Sequence, residues 1–427
     1  FGSSHSAPGA HTRACARPSR VGERGPKSGD GGRFMVPLWL AVLLVPVTLL
    51  GAIILTVVLV KICCPTAFFR LQKPPGFILH AITGGKVPPY FVTWVWEDEH
   101  LSKWLKDGDV VCCVGAKSGT TWLMNIVHQV RTLGDPNNFL KMNTHTMPWP
   151  ECDRYPGETK KEKMDHLFGL DGMTNPAYKF NVFKSHYGPR KAGEPWKEAV
   201  KRDAVVPVRE RPGVKYIICM REGTDVMASF YPFFASHNDE FKKMWGGFPP
   251  TFPDWDANFK FFTEEQPNFY FGYCAAWWPY RHDPNVLLLH YNDLKSDIRG
   301  CLRKIAAFCD VAVPESSWPL IEEKVSLGWM KKNEGIFKYD ISSKYYTGTV
   351  MKQEEGSMIR KGEVGDGRGR LTPEQEKKFQ ELSDRYFGGL PGLAEWVAKG
   401  GPVPPLAEAE VGGQAGGLSA PLLARGP

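Results

Sequence analysis

The sequence predicts an α/β domain, a central parallel sheet flanked by helices, with one membrane-spanning helix ahead of it. Three observations carry this expectation. Short apolar runs alternate with helix-like segments over residues 76–398, several of those runs are unbroken as in strands covered on both faces, and residues 34–60 hold no charge.

A chain of 427 residues with 42% hydrophobic and 12% aromatic side chains can bury a large core, which excludes disorder throughout. The formal charge is +7, and Arg13, Arg17, Arg20, Arg24, Lys27 and Arg33 face only Glu23 and Asp30 in residues 1–33. Because the excess lies in this arm, no nucleic-acid-binding face is indicated. The arm is rich in Gly, Ser, Pro and Arg, cannot bury enough apolar surface to order itself, and is read as a disordered basic arm. The chain starts at Phe1 rather than Met, which leaves room for a preceding segment.

Residues 34–60 (FMVPLWLAVLLVPVTLLGAIILTVVLV) exceed the roughly 20 residues a helix needs to cross a bilayer, and Arg33 and Lys61 bracket them as interfacial anchors would. A cleaved signal peptide and a buried core helix are the alternatives. Six basic residues before the span, against Lys61, Arg70 and Lys73 after it, favour a cytosolic arm and a Golgi- or ER-type single-pass protein. The chain has no Asn-x-Ser/Thr site and no disulfide-like cysteine spacing, which point the other way, so orientation stays open. Residues 61–75 read as a connector, 76–398 as the domain and 399–427 as a flexible tail.

Within the domain the candidate strands are residues 109–114, 181–184, 214–220 and 285–290, each followed by a polar break. Ten cysteines include the pairs Cys63/Cys64 and Cys112/Cys113 but no CxxC, so neither a structural metal nor a disulfide framework is expected.

The stretch VVCCVGAKSGTTWLMNIV at residues 110–127 is the most informative. A strand to Val114 meets a short loop, 115–119, and a helix is expected to start near Thr120 with Trp122, Ile126 and Val127 turned inward. Amides at such a helix start, the hydroxyls of Ser118, Thr120 and Thr121, close approach at Gly119 and the charge of Lys117 suit a phosphate-like group. A nucleoside-triphosphatase loop needs GxxxxGK followed by Ser or Thr, whereas here Lys117 precedes Gly119. Nor does a later strand end in a metal-binding Asp. Taken alone, the loop is equally compatible with a structural turn.

The order KSGTTW resembles the 5′-phosphosulfate loop of the cytosolic-type sulfotransferases, enzymes that use 3′-phosphoadenosine 5′-phosphosulfate (PAPS), and five further segments follow in that family's order. NVFKSHYGPR at 181–190 is similar to the strand ending Lys-Thr-His, which implies His186 as catalytic base and Lys184 beside it. A His is apt, since an acceptor hydroxyl is a poor nucleophile until a group of near-neutral pKa removes its proton. By itself, one of eleven histidines is more often structural.

VKYIICMREGTDVMASFYPFF at 214–234 resembles the 3′-phosphate segment, implying Arg221 and Ser229, with Ser229 also restraining Lys117. NVLLLHYNDLKSDIRG at 285–300 implies Tyr291 near the adenine, and KVSLGWMKKN at 324–333 implies Ser326 and Met330, although Val325 and Leu327 depart from the family's Thr and Phe. MIRKGEVGDGRGRL at 358–371 resembles the C-terminal RKGxxGDW signature, implying Arg360, Lys361 and Gly362 as a second clamp on the 3′-phosphate, with Gly367 where the family has Trp.

The resemblance implies a P-loop-like sulfotransferase fold and sulfuryl transfer without a metal, Lys117 and Lys184 acting as fixed cations. The implied acceptor is a small molecule bearing a hydroxyl or amine. Residues 237–278, with WGGFPPTFPDWDANFKFF and CAAWW, are rich in aromatics where acceptor loops are expected, so the acceptor is read as apolar. The family's dimer stretch is not reproduced, since Pro373 follows Thr372 and Lys377 takes the acidic place. A magnesium-dependent nucleotide kinase and a membrane-anchored binding protein without turnover remain as alternatives.

Overall fold

The computed structural model describes residues 47–56, 58–59, 90–135, 137, 143–343, 346–352 and 359–406. The expected arm, the connector, residues 34–46, 57 and 60 of the expected span and residues 407–427 of the expected tail lie outside these. The described part of the span, residues 47–56 and 58–59, is helical and exposed. Among the described residues no helix is long and apolar enough to cross a membrane.

The domain is organised by four parallel strands, β1 (Val110–Val114), β2 (Val182–Ser185), β3 (Lys215–Met220) and β4 (Val286–His290), in the order β2-β1-β3-β4. Each lies within a residue of the run expected for it. Their apolar continuity has a plain cause: every residue of β1 is fully buried, Val111 and Cys113 packing in one core cluster and Val110, Cys112 and Val114 in another. Both faces of the sheet are therefore covered.

From β1 the chain passes first to β2 on one side and then to β3 on the other, so the order reverses beside β1. In open α/β sheets ligands bind at such a reversal, outside the carboxyl ends of the strands. The register Cys113↔Ser185, Val114↔Cys219 and Met220↔His290 brings four strand ends to one edge. Each end bears one of the segments singled out from sequence.

Helix α1 (Thr120–Arg131) follows β1, and α2 (Gly223–Ala235) follows β3. Two further helices follow toward the carboxyl terminus: α3 (Leu327–Lys332), which reaches the site, and α4 (Pro373–Phe387). The stretch that departs from the family's dimer pattern is the start of α4. Thr372 is its N-cap, Pro373 its first residue, and Gln375 closes a reciprocal capping box. Beyond residue 399 the Gly401 amide donates to Asp293 and the Pro404 carbonyl is bonded to His282.

Candidate active site

The loop between β1 and α1 holds two left-handed residues, Lys117 at φ 60° and Gly119 at φ 90°. A Cβ on Gly119 would lie 3.0 Å from the Tyr291 ring, so both backbone conformation and packing call for glycine there. The amides of α1 point out of the loop with no capping side chain and no acid in the first turn, leaving an electropositive helix end. Ser118 is buried within the loop, and its amide closes a turn on the Gly115 carbonyl at 3.0 Å.

The loop opens into a cavity of about 480 Å³. Lys117, Gly119, Thr120, Thr121 and Trp122 line it, as do Lys184 and His186 from the end of β2 and Arg221 and Ser229 from β3 and α2. Tyr291, Ser326, Met330, Arg360, Lys361 and Gly362 complete the set, so every residue predicted from sequence reaches this cavity except Ser118.

The cations are close enough to act on one another. Burial, then the charges of Arg221, Arg360 and Lys184, lowers Lys117 to about 7. Its ammonium lies 3.6 Å from the centroid of the Phe233 ring. Burial lowers Lys184 to about 8 against the opposing pull of Cys152 and Glu151, and its ammonium stands 3.3 Å from the Trp149 ring.

His186 is held by a bond of 2.6 Å between Nδ1 and the Val114 carbonyl. A carbonyl only accepts, so Nδ1 carries the proton and Nε2 keeps its lone pair. Burial first, then Lys184 and Lys117, lowers the ring to about 3, opposed by the Val114 bond. The imidazole is thus neutral.

Behind His186 lies a residue the sequence reading missed. Glu151, 1% exposed, receives Trp96 Nε1 at 2.9 Å, Trp149 Nε1 at 3.0 Å, the Ser185 hydroxyl and the His186 amide at 3.3 Å. One carboxylate therefore ties the end of β2 to the ring beneath Lys184. An acid between Pro150 and Cys152 shows no periodicity that could have marked it.

Residues 359–370 form a strap against α2. Arg221 Nη2 donates to the Glu363 carbonyl at 2.6 Å, and the Asp225 carboxylate accepts the Gly365 and Gly367 amides at 2.8 Å each. A Cβ on Gly367 would lie 2.2 Å from the Thr224 carbonyl carbon, so the family's Trp could not occupy this place without moving the strap. Arg360 and Lys361 bond opposite oxygens of Asp366 at 2.7 and 2.6 Å, which holds that carboxyl well below its usual range. Arg221 also lies 4.3 Å from the Tyr291 ring, and Trp122 Nε1 donates to the Val325 carbonyl at 2.9 Å.

No hydrogen bond joins Ser229 to Lys117, whose partner is the Phe233 face one turn along α2. Aromatic rings make up much of the rest of the cavity. Phe248, Pro249, Phe261 and Phe269 come from the segment expected to serve the acceptor, whereas Tyr90, Phe91, Trp149 and Phe233 come from elsewhere. The CAAWW stretch is core: Trp277 and Trp278 are fully buried and away from the cavity. Aromatic content alone cannot separate a cavity wall from a core.

Among the described residues no three His, Cys, Asp or Glu side chains gather as a metal site would require.

Residues 107–391 match the family model described as "Sulfotransferase domain". Human sulfotransferase 1C2 is 24% identical over 290 residues, covering 66% of this chain and 84% of the relative. Luciferin sulfotransferase of Photinus pyralis is 25% identical over 312 residues, covering 71% of this chain and 78% of the relative. Among solved structures, mouse sulfotransferase SULT7A1 complexed with PAP aligns over 71% of this chain and 95% of its own at 20% identity, with a TM-score of 0.47. As the family model spans more than half of the chain, the chain belongs to the sulfotransferase family, whose reaction moves a sulfuryl group from PAPS to an acceptor.

Proposed function

We propose that this PAPS-dependent sulfotransferase seats its donor across the β1–α1 loop and the strap, and transfers the sulfuryl group to a hydroxyl or amine of a small apolar acceptor held among the aromatic rings. One observation carries the reading: Lys117, Lys184, His186, Arg221 and Arg360 line a single cavity that is also lined by the aromatic rings of Tyr90, Phe91, Trp149, Phe233, Phe248, Phe261 and Phe269. The residues fit a doubly phosphorylated nucleotide. Arg221 Nε is buried with no hydrogen-bond partner among the described residues, and the start of α1 has amides without a cap.

PAPS supplies the sulfuryl group and a phosphate leaving group. Lys117 and the α1 amides hold the 5′ end, Arg221, Arg360, Lys361 and Gly362 with Ser229 the 3′-phosphate, and Tyr291, Trp122, Ser326 and Met330 the base and its surroundings. His186 Nε2 takes the acceptor's proton as the acceptor oxygen or nitrogen bonds to sulfur and the sulfur–phosphate oxygen bond breaks. Lys117 offsets the charge that appears on the departing phosphate, and Lys184 that on the sulfuryl oxygens. Bound anions raise the lowered Lys117, Lys184 and His186 together, so the donor prepares the base.

The test is transfer of labelled sulfate from PAPS to a panel of apolar phenols, alcohols and amines in the presence of EDTA. A protein that labels none of them, or that needs magnesium and ATP, does not have this function.

The chain is further proposed to be a single-pass membrane protein of the Golgi or ER, anchored through residues 34–60. The uncharged run supports this, as does the helix over residues 47–56, in which Val47 is 64% and Leu55 59% exposed, an apolar surface that water disfavours. Release of the full chain from membranes by alkaline carbonate would refute it.

A further inference from the structure

Among the aromatic walls of the cavity stands a second histidine that the mechanism does not use. His237 follows the end of α2, with its backbone bridged to Met351 and its side chain 7% exposed. Its ring packs edge-on against Phe233 at 4.7 Å and near Phe234 and Phe241 at 6.2 and 6.1 Å.

Nδ1 is bonded to the Phe233 carbonyl at 2.9 Å, so Nδ1 carries the proton and Nε2 is an acceptor. Among the described residues nothing donates to Nε2, and the residue lines the cavity. Burial keeps the ring neutral, lowered to about 4, so it offers a lone pair and not a charge.

Phe233 connects this group to the chemistry. The same residue carries Lys117 on its ring face and accepts His237 on its carbonyl. His186, Phe233 and His237 line one cavity, so an acceptor long enough to reach both histidines meets Nε2, and a wholly apolar one would strip water from it and give nothing back.

We propose that His237 is a second recognition point for the acceptor, its Nε2 accepting a hydrogen bond from a hydroxyl or N–H other than the one sulfated. The preferred acceptors are then apolar molecules with two separated donors. This rests on the proposed function above and narrows its substrate class.

The experiment uses paired mono-ols and diols on naphthalene, biphenyl and stilbene frames, with two readouts. One is sulfuryl transfer from labelled PAPS; the other is calorimetric binding to protein saturated with 3′,5′-adenosine bisphosphate, which also verifies that each variant is folded. On at least one frame the diol should bind about tenfold more tightly than the mono-ol, His237→Phe should abolish that preference, and His237→Gln, which retains an acceptor atom, should restore part of it.

No preference on any frame, no binding of any diol, or a preference that survives in His237→Phe overturns the proposal. Binding preference without transfer would fail the catalytic reading alone. Transfer without preference would fail this inference alone.

Discussion

The Ser185 hydroxyl donates to the Glu151 carboxylate, whose other oxygen takes the next amide, that of His186, at 3.3 Å. Four donors converge on this buried acid, so it sets both the catalytic histidine and the Trp149 ring under Lys184. Glu151→Gln would turn an N–H₂ toward donors and remove a charge that favours protonated Lys184. Turnover is expected to fall about 10- to 100-fold, by analogy with the loss of groups that orient metal ligands, with nucleotide affinity little changed. Comparing kcat with calorimetric affinity checks this, and a loss of nucleotide binding as large as the loss of turnover would contradict it.

Removing the base itself should cost more. His186→Ala is expected to lower turnover about 10²- to 10⁴-fold while the protein still binds 3′,5′-adenosine bisphosphate. Wild-type transfer of labelled sulfate by the purified variant would remove His186 from the mechanism.

Arg221 acts on a phosphate that does not react, so Arg221→Ala should chiefly weaken the nucleotide. It also unties the strap at Glu363 and Asp225. Titration with 3′,5′-adenosine bisphosphate measures the effect, and an unchanged Kd would count against the placement.

Lys117 gives the pH dependence a sign. With Lys117 near 7 in the free protein, its amine is neutral above that pH, and a bound anion restores the proton. Nucleotide affinity should therefore fall as pH rises from about 7 to 9, with proton uptake on binding at pH 8. Lys184, near 8, shares the window, so Lys117→Met should reduce the uptake without abolishing it. Heats compared across buffers of different ionisation enthalpy report it, and proton release instead of uptake would refute the assignment.

Placing a side chain on Gly367 tests the strap. Even Ala brings its Cβ into the Thr224–Asp225 backbone, so Gly367→Ala should cost about 1–3 kcal/mol of stability, as overpacking does, and weaken nucleotide binding. Restoring the family's Trp should do worse. A melting temperature and Kd equal to wild type would show that the strap yields freely.

Much of this site was legible because its groups sit at strand ends, where a run of apolar residues stops. Lys117, His186, Arg221 and Tyr291 each follow such a stop, and the sheet order carries them to one edge. Glu151 was not legible, since its partners are 2, 34, 35 and 55 residues away and no local pattern records them. The acceptor walls were legible in part: Phe248, Pro249, Phe261 and Phe269 lie in the expected segment, but Phe233 and Trp277 are both aromatic residues on helices and only packing makes one a wall and the other core. His237, the first residue of that segment, carries no pattern of its own that singles it out.

Burial also decides how the domain meets thiol reagents. Cys112, Cys113, Cys152, Cys219, Cys274, Cys301 and Cys309 are all unpaired and shut inside, and burial pushes each thiol upward, Cys112 to well above its ordinary value. An alkylating reagent would thus find these seven sulfurs only when the chain opens. Their modification would act as a clock for whole-domain unfolding, and bound nucleotide would slow it.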